Sequence, residues 1–153
     1  MRDFEKISFN QFCKDVKNDR KLYDSYKLPK RSSKSTAGYD IFLLEDIEIK
    51  PNEIIKLPTG IKSHFEDDEV LFLVVRSSTG FKYNIRLVNQ IAVIDADYYN
   101  NKDNEGHMFI KIQNHGEEIY KFKAGQALVQ GIFMKYLTTD SDNRTNIERT
   151  SNY

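Results

Sequence analysis

The chain has 153 residues, and its 23 lysine and arginine residues balance 23 aspartate and glutamate residues, so the formal net charge is zero. This length predicts one domain over residues 1–153, because a chain of about 150 residues can bury roughly 70% of its unfolded surface. The balanced charge argues against binding of long nucleic acids or anionic membranes by bulk electrostatics, although a small anionic ligand needs only a few local donors. The apolar stretches are far shorter than the ~20 residues of a membrane-spanning helix.

The amino-terminal region, residues 1–25, is interpreted as a helical appendage that packs on a larger body. Apolar residues at helical spacing and a serine and glutamine at capping-box spacing predict a helix over about 9–19. Its single cysteine, Cys13, excludes an intrachain disulfide and is expected to be a small buried residue. The first residues lack the apolar run of a signal peptide, so we expect a cytoplasmic protein, or a viral protein acting in the host cytoplasm.

From residue 38 to residue 137 the sequence consists of short apolar segments separated by polar turn clusters. The segments of strand length are 47–49, 54–57, 70–75, 108–112 and 128–137. Many short strands with turn signals predict an all-β sandwich, jelly roll or barrel. No long helical pattern interrupts this region, which argues against a parallel βαβ fold. Residues 138–153 are polar and without periodicity, and are expected to form a flexible C-terminal arm.

Two segments in the first half carry polar groups next to predicted strands. In segment 35–40 a turn of small residues leads to Asp40 at a strand start. In segment 76–80 an arginine, two serines, a threonine and a glycine follow the apolar strand 70–75. Hydroxyls, backbone N–H groups and a guanidinium suit the binding of phosphate oxygens. Each segment by itself is more often a structural turn.

Two further segments lie in the second half. In segment 89–99 Asp95 leaves an apolar β segment and Tyr98 follows it. A carboxylate among apolar neighbours can act as a general base, whereas the structural alternative is a hairpin whose aspartate caps a turn. In segment 125–133 a glycine turn opens a strand that contains Gln130.

In this order and spacing, the four segments resemble the motifs of the trimeric all-β dUTP nucleotidohydrolases (dUTPases). The resemblance covers roughly residues 28–137, and the match at 89–98 is the most specific. It implies a dUTPase-like distorted jelly roll or β-barrel with a short N-terminal helix and a flexible C-terminal arm. It also implies a homotrimer whose sites lie between subunits, with the base pocket and the phosphate loop supplied by different chains.

The resemblance further implies hydrolysis of dUTP to dUMP and pyrophosphate, a reaction of nucleotide-pool sanitation and of dUMP supply for dTTP synthesis. Asp95 would be the general base that activates a water for attack on the α-phosphorus. Tyr98 would pack under the deoxyribose and exclude a 2′-hydroxyl. Asn89 and Ile94, with the backbone of the same hairpin, would bind uracil.

The same resemblance assigns a phosphate-binding group and its supports. The phosphate-binding residues are Arg76, Ser77, Ser78, Thr79 and Gln130, and the supporting residues are Asp40, which would brace Arg76, and Gly38. Mg²⁺ would ride on the triphosphate without a direct protein ligand, where it neutralises charge and polarises phosphorus. The implied partner is therefore dUTP with its magnesium, and neither a long nucleic acid nor a membrane.

The C-terminal arm departs from the family pattern. Arg149 aligns with the arginine of the fifth motif and Tyr153 with its aromatic residue, so these two are expected at the γ-phosphate and on uracil. The intervening glycines are replaced by Ser151 and Asn152. Because closure over a site excludes water and completes it, we expect either lowered turnover or an arm that is truncated in this sequence.

Two alternatives to a dUTPase stay open. A dCTP deaminase relative would need a carboxylate on the strand after the third motif, but segment 109–114 contains none. A non-catalytic dUTPase-like protein, which binds a nucleotide or a partner, would explain the altered arm. The retention of Asp95, Tyr98 and Asn89 argues against that alternative.

Overall fold

The computed structural model describes residues 1–145 and 147–153, so Asn146, in the predicted C-terminal arm, lies outside the described residues. The described chain forms short strands and a few brief helices. The strands are β1 (Asp3–Lys6), β2 (Lys30–Arg31), β3 (Tyr39–Phe42), β4 (Ile47–Ile49), β5 (Ile54–Pro58), β6 (Ile61–His64), β7 (Glu69–Val75), β8 (Ile85–Leu87), β9 (Ala92–Asp95), β10 (Phe109–Asn114), β11 (Tyr120–Phe122) and β12 (Ala127–Lys135). The helices are α1 (Phe9–Asp15), α2 (Arg20–Ser25), α3 (Ser77–Phe81) and a 3₁₀ helix at Ala96–Tyr98.

The strands form antiparallel sheets, as an all-β fold predicts. The largest sheet has five strands in the order β2-β3-β12-β7-β9, and a second has three in the order β5-β10-β8. Two further pairs, β1-β6 and β11-β4, complete the body. This architecture confirms the predicted jelly-roll class. None of the helices in residues 1–145 and 147–153 is long and apolar enough to span a membrane.

The core lies between the sheets and follows the period-two pattern of the strands. Met108, Ile110 and Ile112 are buried, whereas Lys111 between them is exposed. The alternation arises because successive side chains of a strand point to opposite faces. The run predicted as a strand at 70–75 is the interior strand β7, which pairs with β12 on one side and with β9 on the other.

The amino-terminal region differs from its prediction. It contributes a strand, β1, which pairs with β6, and a second helix, α2, that the apolar pattern did not reveal. Helix α1 ends at Asp15 rather than near residue 19, because Val16 leaves the helical conformation at φ −119° and ψ −81°. Cys13 is only half-buried.

The predicted capping box is present only in part. The Ser8 side chain accepts a hydrogen bond from the backbone N–H of Gln11 at 3.1 Å, as an N-cap should. The Gln11 side chain does not return to Ser8 but donates to Asp15 at 2.9 Å. The Ser8 backbone N–H donates instead to Glu105, at 3.0 Å. A residue distant in sequence therefore satisfies the second donor of the cap.

A buried histidine fastens the amino-terminal region to the body. His107 is fully buried, and its Nε2 accepts a hydrogen bond from the Gly60 backbone N–H at 2.9 Å. The proton therefore sits on Nδ1, which donates to Asp15 at 2.6 Å. Helix α1 is thus held to the segment that precedes β10 by a neutral imidazole with both nitrogens paired.

We expect the stability of the fold to fall in mild acid because of His107. Burial lowers its pKa below the ordinary value of 6.5, and the contact with Asp15 offsets only part of that effect. A depressed folded-state pKa gives stability that is complete above pH ~6.5 and is lost as the pH falls through the folded-state pKa. Urea unfolding of the wild type and of His107→Asn at several pH values measures this. The advantage of the wild type should shrink below pH ~6.5, and a constant difference would contradict the assignment.

Candidate active site

The phosphate-type loop, residues 76–79, follows directly on strand β7, and its last three residues form the start of the short helix α3. Arg76 is the N-cap residue of α3, and its Nε lies 3.2 Å from the Asp40 carboxylate. Its Nη1 donates to the Ala127 carbonyl at 3.1 Å. The expected brace between Arg76 and Asp40 is therefore present and ties the loop to β3 and β12.

The three hydroxyls of this loop do not face the same way. Ser77 and Ser78 are exposed and available to a ligand. Thr79 is fully buried, and its Oγ1 donates to the Leu128 carbonyl at 2.7 Å. Its hydroxyl is committed to the fold, so the exposed hydroxyl groups of the loop are the two serines.

Gln130 lies beside this loop because β12 runs between β3 and β7. It is opposite Val74 on one side and Asp40 on the other, and its Nε2 donates to the Val75 carbonyl at 3.3 Å. Gly38 permits this placement, since a Cβ at that position would lie 1.9 Å from the Gln130 Oε1. The supporting role expected of Gly38 thus has a steric basis.

A second group of the predicted residues surrounds a pocket between β8, β9 and β10. Two adjoining cavities, of about 290 and 250 Å³, share Asn89, Ala92, Asn152 and Tyr153 as lining residues. Asn89 is exposed in the turn between β8 and β9. The side chain of Ile94 is 5% exposed and packs into the core. Only the backbone of this residue can therefore offer hydrogen bonds to a ligand in the pocket.

Asp95, the candidate base, lies at the end of β9 on the wall of this pocket. Its side chain is half exposed, which leaves room for a water at the carboxylate. Arg149 of the C-terminal arm contacts both Asp95, at 3.3 Å, and Asp97, at 3.2 Å. In the isolated chain Arg149, the residue expected to bind the γ-phosphate, is thus paired with these two carboxylates.

Tyr98, the candidate sugar contact, is buried beside Asp95 in the 3₁₀ helix. Its hydroxyl donates to the His107 carbonyl at 2.9 Å and accepts from the Asn104 Nδ2 at 2.8 Å. The Ser151 hydroxyl lies 3.2 Å away. Sequence reasoning missed Asn104 because the cluster 100–106 has the composition of a turn, and no sequence pattern marks an asparagine as buried.

The C-terminal arm docks on this pocket. The Tyr153 ring lies 5.8 Å from that of Tyr98 and 5.3 Å from that of Phe109, centroid to centroid. The Ser151 backbone N–H donates to Asp103 at 2.8 Å. The arm was expected to be a flexible segment. Here the residues from 147 onward have no regular structure but make specific contacts.

The structure separates the two predicted groups. Asp95 pairs with Val70 near the start of β7, whereas the phosphate-type loop begins at Arg76 beyond its end. Six residue steps at about 3.3 Å each place the two groups roughly 20 Å apart. One chain therefore does not bring its own candidate base and its own phosphate-type loop together.

Among the described residues, no group of three or more histidine, cysteine, aspartate or glutamate side chains is arranged to hold a metal ion. Near the pocket, the carboxylates of Asp95 and Asp97 are the hard oxygen ligands that Mg²⁺ prefers, but both contact Arg149. The exposed hydroxyls of Ser77 and Ser78 suit phosphate oxygens. These two hydroxyls could bind a phosphate chain that carries the cation.

Because the C-terminal arm is docked on the pocket, we expect Tyr153 to titrate at a higher pH than an exposed tyrosine. Burial against Tyr98 raises the pKa of Tyr153 from 10.0 to about 12. The difference in tyrosinate absorbance between the wild type and Tyr153→Phe should therefore develop near pH 12. A difference that develops near pH 10 would show that the arm leaves the pocket in solution.

The dUTPase family model matches residues 24–153. The deoxyuridine 5'-triphosphate nucleotidohydrolase of Lactococcus lactis subsp. lactis is 44% identical over 127 residues, which cover 82% of this chain and 85% of the relative. That of Pseudomonas fluorescens is 31% identical over 115 residues, with 73% of this chain and 72% of the relative covered.

Solved structures give the same result. The crystal structure of the dUTPase from Streptococcus mutans superposes with a TM-score of 0.72 at 39% identity, covering 90% of this chain and 98% of that one. The Staphylococcus bacteriophage 80alpha dUTPase shares the fold, with a TM-score of 0.69 at 19% identity and coverage of 97% and 99%. The resemblance of the four segments is thereby confirmed over most of the chain. The chain belongs to the dUTPase family.

Proposed function

We propose that this protein hydrolyses dUTP to dUMP and pyrophosphate, in the cytoplasm, with Asp95 as the general base. The observation that carries this proposal is one pocket lined by Asn89, Asp95 and Tyr98 in a chain of the dUTPase family. These groups supply an amide for a base edge, a half-exposed carboxylate for a water, and a buried ring for a sugar. The family assignment disfavours the deaminase alternative.

The chemical step needs a carboxylate that holds and deprotonates water. The Asp95 carboxylate accepts the water proton while the water oxygen attacks the α-phosphorus, and pyrophosphate leaves with the electrons of the cleaved P–O bond. Mg²⁺ carried by the phosphates supplies charge neutralisation. Ser77, Ser78 and Gln130 would hold phosphate oxygens, and Arg149 would exchange its carboxylate partners for the γ-phosphate.

The pocket also offers a basis for selectivity. Asn89 and the backbone of the turn between β8 and β9 would pair with uracil, and the amino group of cytosine would leave polar groups of the pocket unpaired. The Tyr98 ring would fill the space of a 2′-hydroxyl. Tyr153 already occupies the pocket in the isolated chain, so substrate entry requires it to move and stack on the base instead.

The proposed working unit is a homotrimer. Support comes from the roughly 20 Å between the Asp95 end of β7 and the Arg76 end, which a single nucleotide cannot bridge within one chain. A second chain would bring its phosphate-type loop to the base pocket of the first. Because β7 fixes the separation of Asp95 and Arg76 within one chain, each complete site would lie between two subunits.

Purified protein with Mg²⁺ should release pyrophosphate from dUTP and much less from dCTP, dTTP or UTP. The physical reason is the pairing pattern of uracil together with the packed Tyr98 ring. A coupled pyrophosphate assay on the four nucleotides measures this directly. Equal rates on all four would refute the proposed function, and deamination of dCTP would favour the alternative enzyme.

Asp95→Asn should lower turnover of dUTP by about 10²–10⁴-fold, the usual contribution of general base catalysis, while dUTP still binds. Asp97→Asn is the matched control, because Asp97 shares the Arg149 contact at 3.2 Å and has no assigned role in activating water. Steady-state kinetics and calorimetric binding of a dUTP analogue separate the two effects. Similar losses in both variants would remove Asp95 from its role.

Mixed oligomers test whether the site is shared. Asp95→Asn chains and Arg76→Ala chains should each be inactive alone. When they are refolded together, part of the activity should return, because some sites combine an intact base pocket with an intact loop from another chain. Light scattering should show a trimer. The absence of recovery in a confirmed mixed trimer would contradict a site between subunits.

A further inference from the structure

Two asparagines follow Tyr98 in a loop that the mechanism above leaves without a role. Asn101 and Asn104 are each 8% exposed, which is rare for asparagine unless its amide is fully paired. The Asn101 Nδ2 donates to the Tyr98 carbonyl at 2.8 Å and to the Asn104 Oδ1 at 2.9 Å. The loop therefore folds back on the residue assigned to the sugar.

The orientation of the Asn104 amide is fixed by its neighbours. Its Oδ1 accepts from Asn101 and also from the Gly106 backbone N–H, at 3.1 Å. Gly106 has φ +89°, and a Cβ there would lie 2.8 Å from the Tyr98 carbonyl, so the turn depends on glycine. With the oxygen committed to two donors, the Asn104 Nδ2 must face the Tyr98 hydroxyl, to which it donates at 2.8 Å.

The Tyr98 hydroxyl thus has polar neighbours at fixed positions, and the Asn104 Oδ1 also lies within 3.1 Å of it. It donates to the His107 carbonyl at 2.9 Å and accepts from Asn104. A phenol anchored at its far end cannot swing about its χ angles without breaking both bonds in a buried site. The position of the ring is therefore set by a hydrogen-bond cluster as well as by packing.

The C-terminal arm joins this cluster. The Ser151 hydroxyl lies 3.2 Å from the Tyr98 hydroxyl and accepts from the Asn104 Nδ2 at 3.1 Å. Its backbone N–H donates to Asp103 in the same loop at 2.8 Å. The arm thus supplies a hydroxyl to Tyr98 from 53 positions away in the sequence.

We propose that Asn104 and Ser151 are positioning residues that hold the Tyr98 ring in place, so that discrimination between deoxyribonucleotide and ribonucleotide depends on this polar cluster. The inference rests on the proposed function, in which Tyr98 contacts the sugar. It makes arm docking and sugar selectivity parts of one hydrogen-bond network.

The test compares kcat/KM for dUTP and UTP in Asn104→Ala, Ser151→Ala and Tyr98→Phe. Each variant should lower the dUTP to UTP ratio by roughly 3- to 10-fold, the value of one neutral hydrogen bond. Ser141→Ala is the matched control, because Ser141 is an exposed arm serine outside the cluster. Its ratio should equal that of the wild type.

Coupling separates positioning from general loss of structure. In a Tyr98→Phe background the hydroxyl is already absent, so Asn104→Ala and Ser151→Ala should cause no further fall in the ratio. Binding of dUDP and UDP by calorimetry gives a ratio independent of the chemical step. Should Asn104→Ala fail to fold, Ser151→Ala and Tyr98→Phe still decide the matter.

Equal losses on both nucleotides, or an unchanged ratio in variants that still hydrolyse dUTP, would overturn this inference and leave the proposed function standing. Additive falls in the double variants would also overturn it. A wild type that hydrolyses no dUTP would instead refute the proposed function itself.

Discussion

The pairing of β7 on both of its edges is the constraint on which the arrangement of the site depends. β12 holds one edge and β9 the other, and the register of β9 places Asp95 opposite Val70. The far end of the same strand delivers Arg76 into its contact with Asp40. A strand held on both edges is stiff, so the base pocket and the phosphate-type loop keep a separation of roughly 20 Å. The proposed assembly of several chains would bring the pocket of one chain to the loop of another.

The C-terminal arm uses local charge in a chain whose net charge is zero. Arg149 pairs with the two carboxylates at the pocket and offsets part of their charge, and the Tyr153 ring packs against those of Tyr98 and Phe109. A triphosphate offers Arg149 a stronger anionic partner than an exposed aspartate. Arg149 and Tyr153 would therefore have to exchange these partners when a substrate binds.

The sequence pattern predicted the strands of the β-sheets better than it predicted the amino-terminal region. The alternation of Met108, Ile110 and Ile112 correctly predicted a half-buried strand, because strand periodicity is a local property. The helix at α1 was predicted but its end was wrong: Val16 leaves the helical conformation, and the last helical residue, Asp15, is anchored by His107 from elsewhere in the chain. Strand β1 was not predicted, because its extended conformation depends on pairing with β6, which is distant in the sequence.

The sequence by itself determined the family, since four motifs in order and spacing are read directly from the residues, and the comparisons confirm that family. Only the tertiary structure decided which polar groups are buried and paired. Asp15 reaches His107 across 92 positions, and Ser151 reaches Asn104 across 47. Local preferences carry no information about such contacts, because each depends on how distant strands pack. For the same reason, the separation of Asp95 from Arg76 became visible only in the paired sheet.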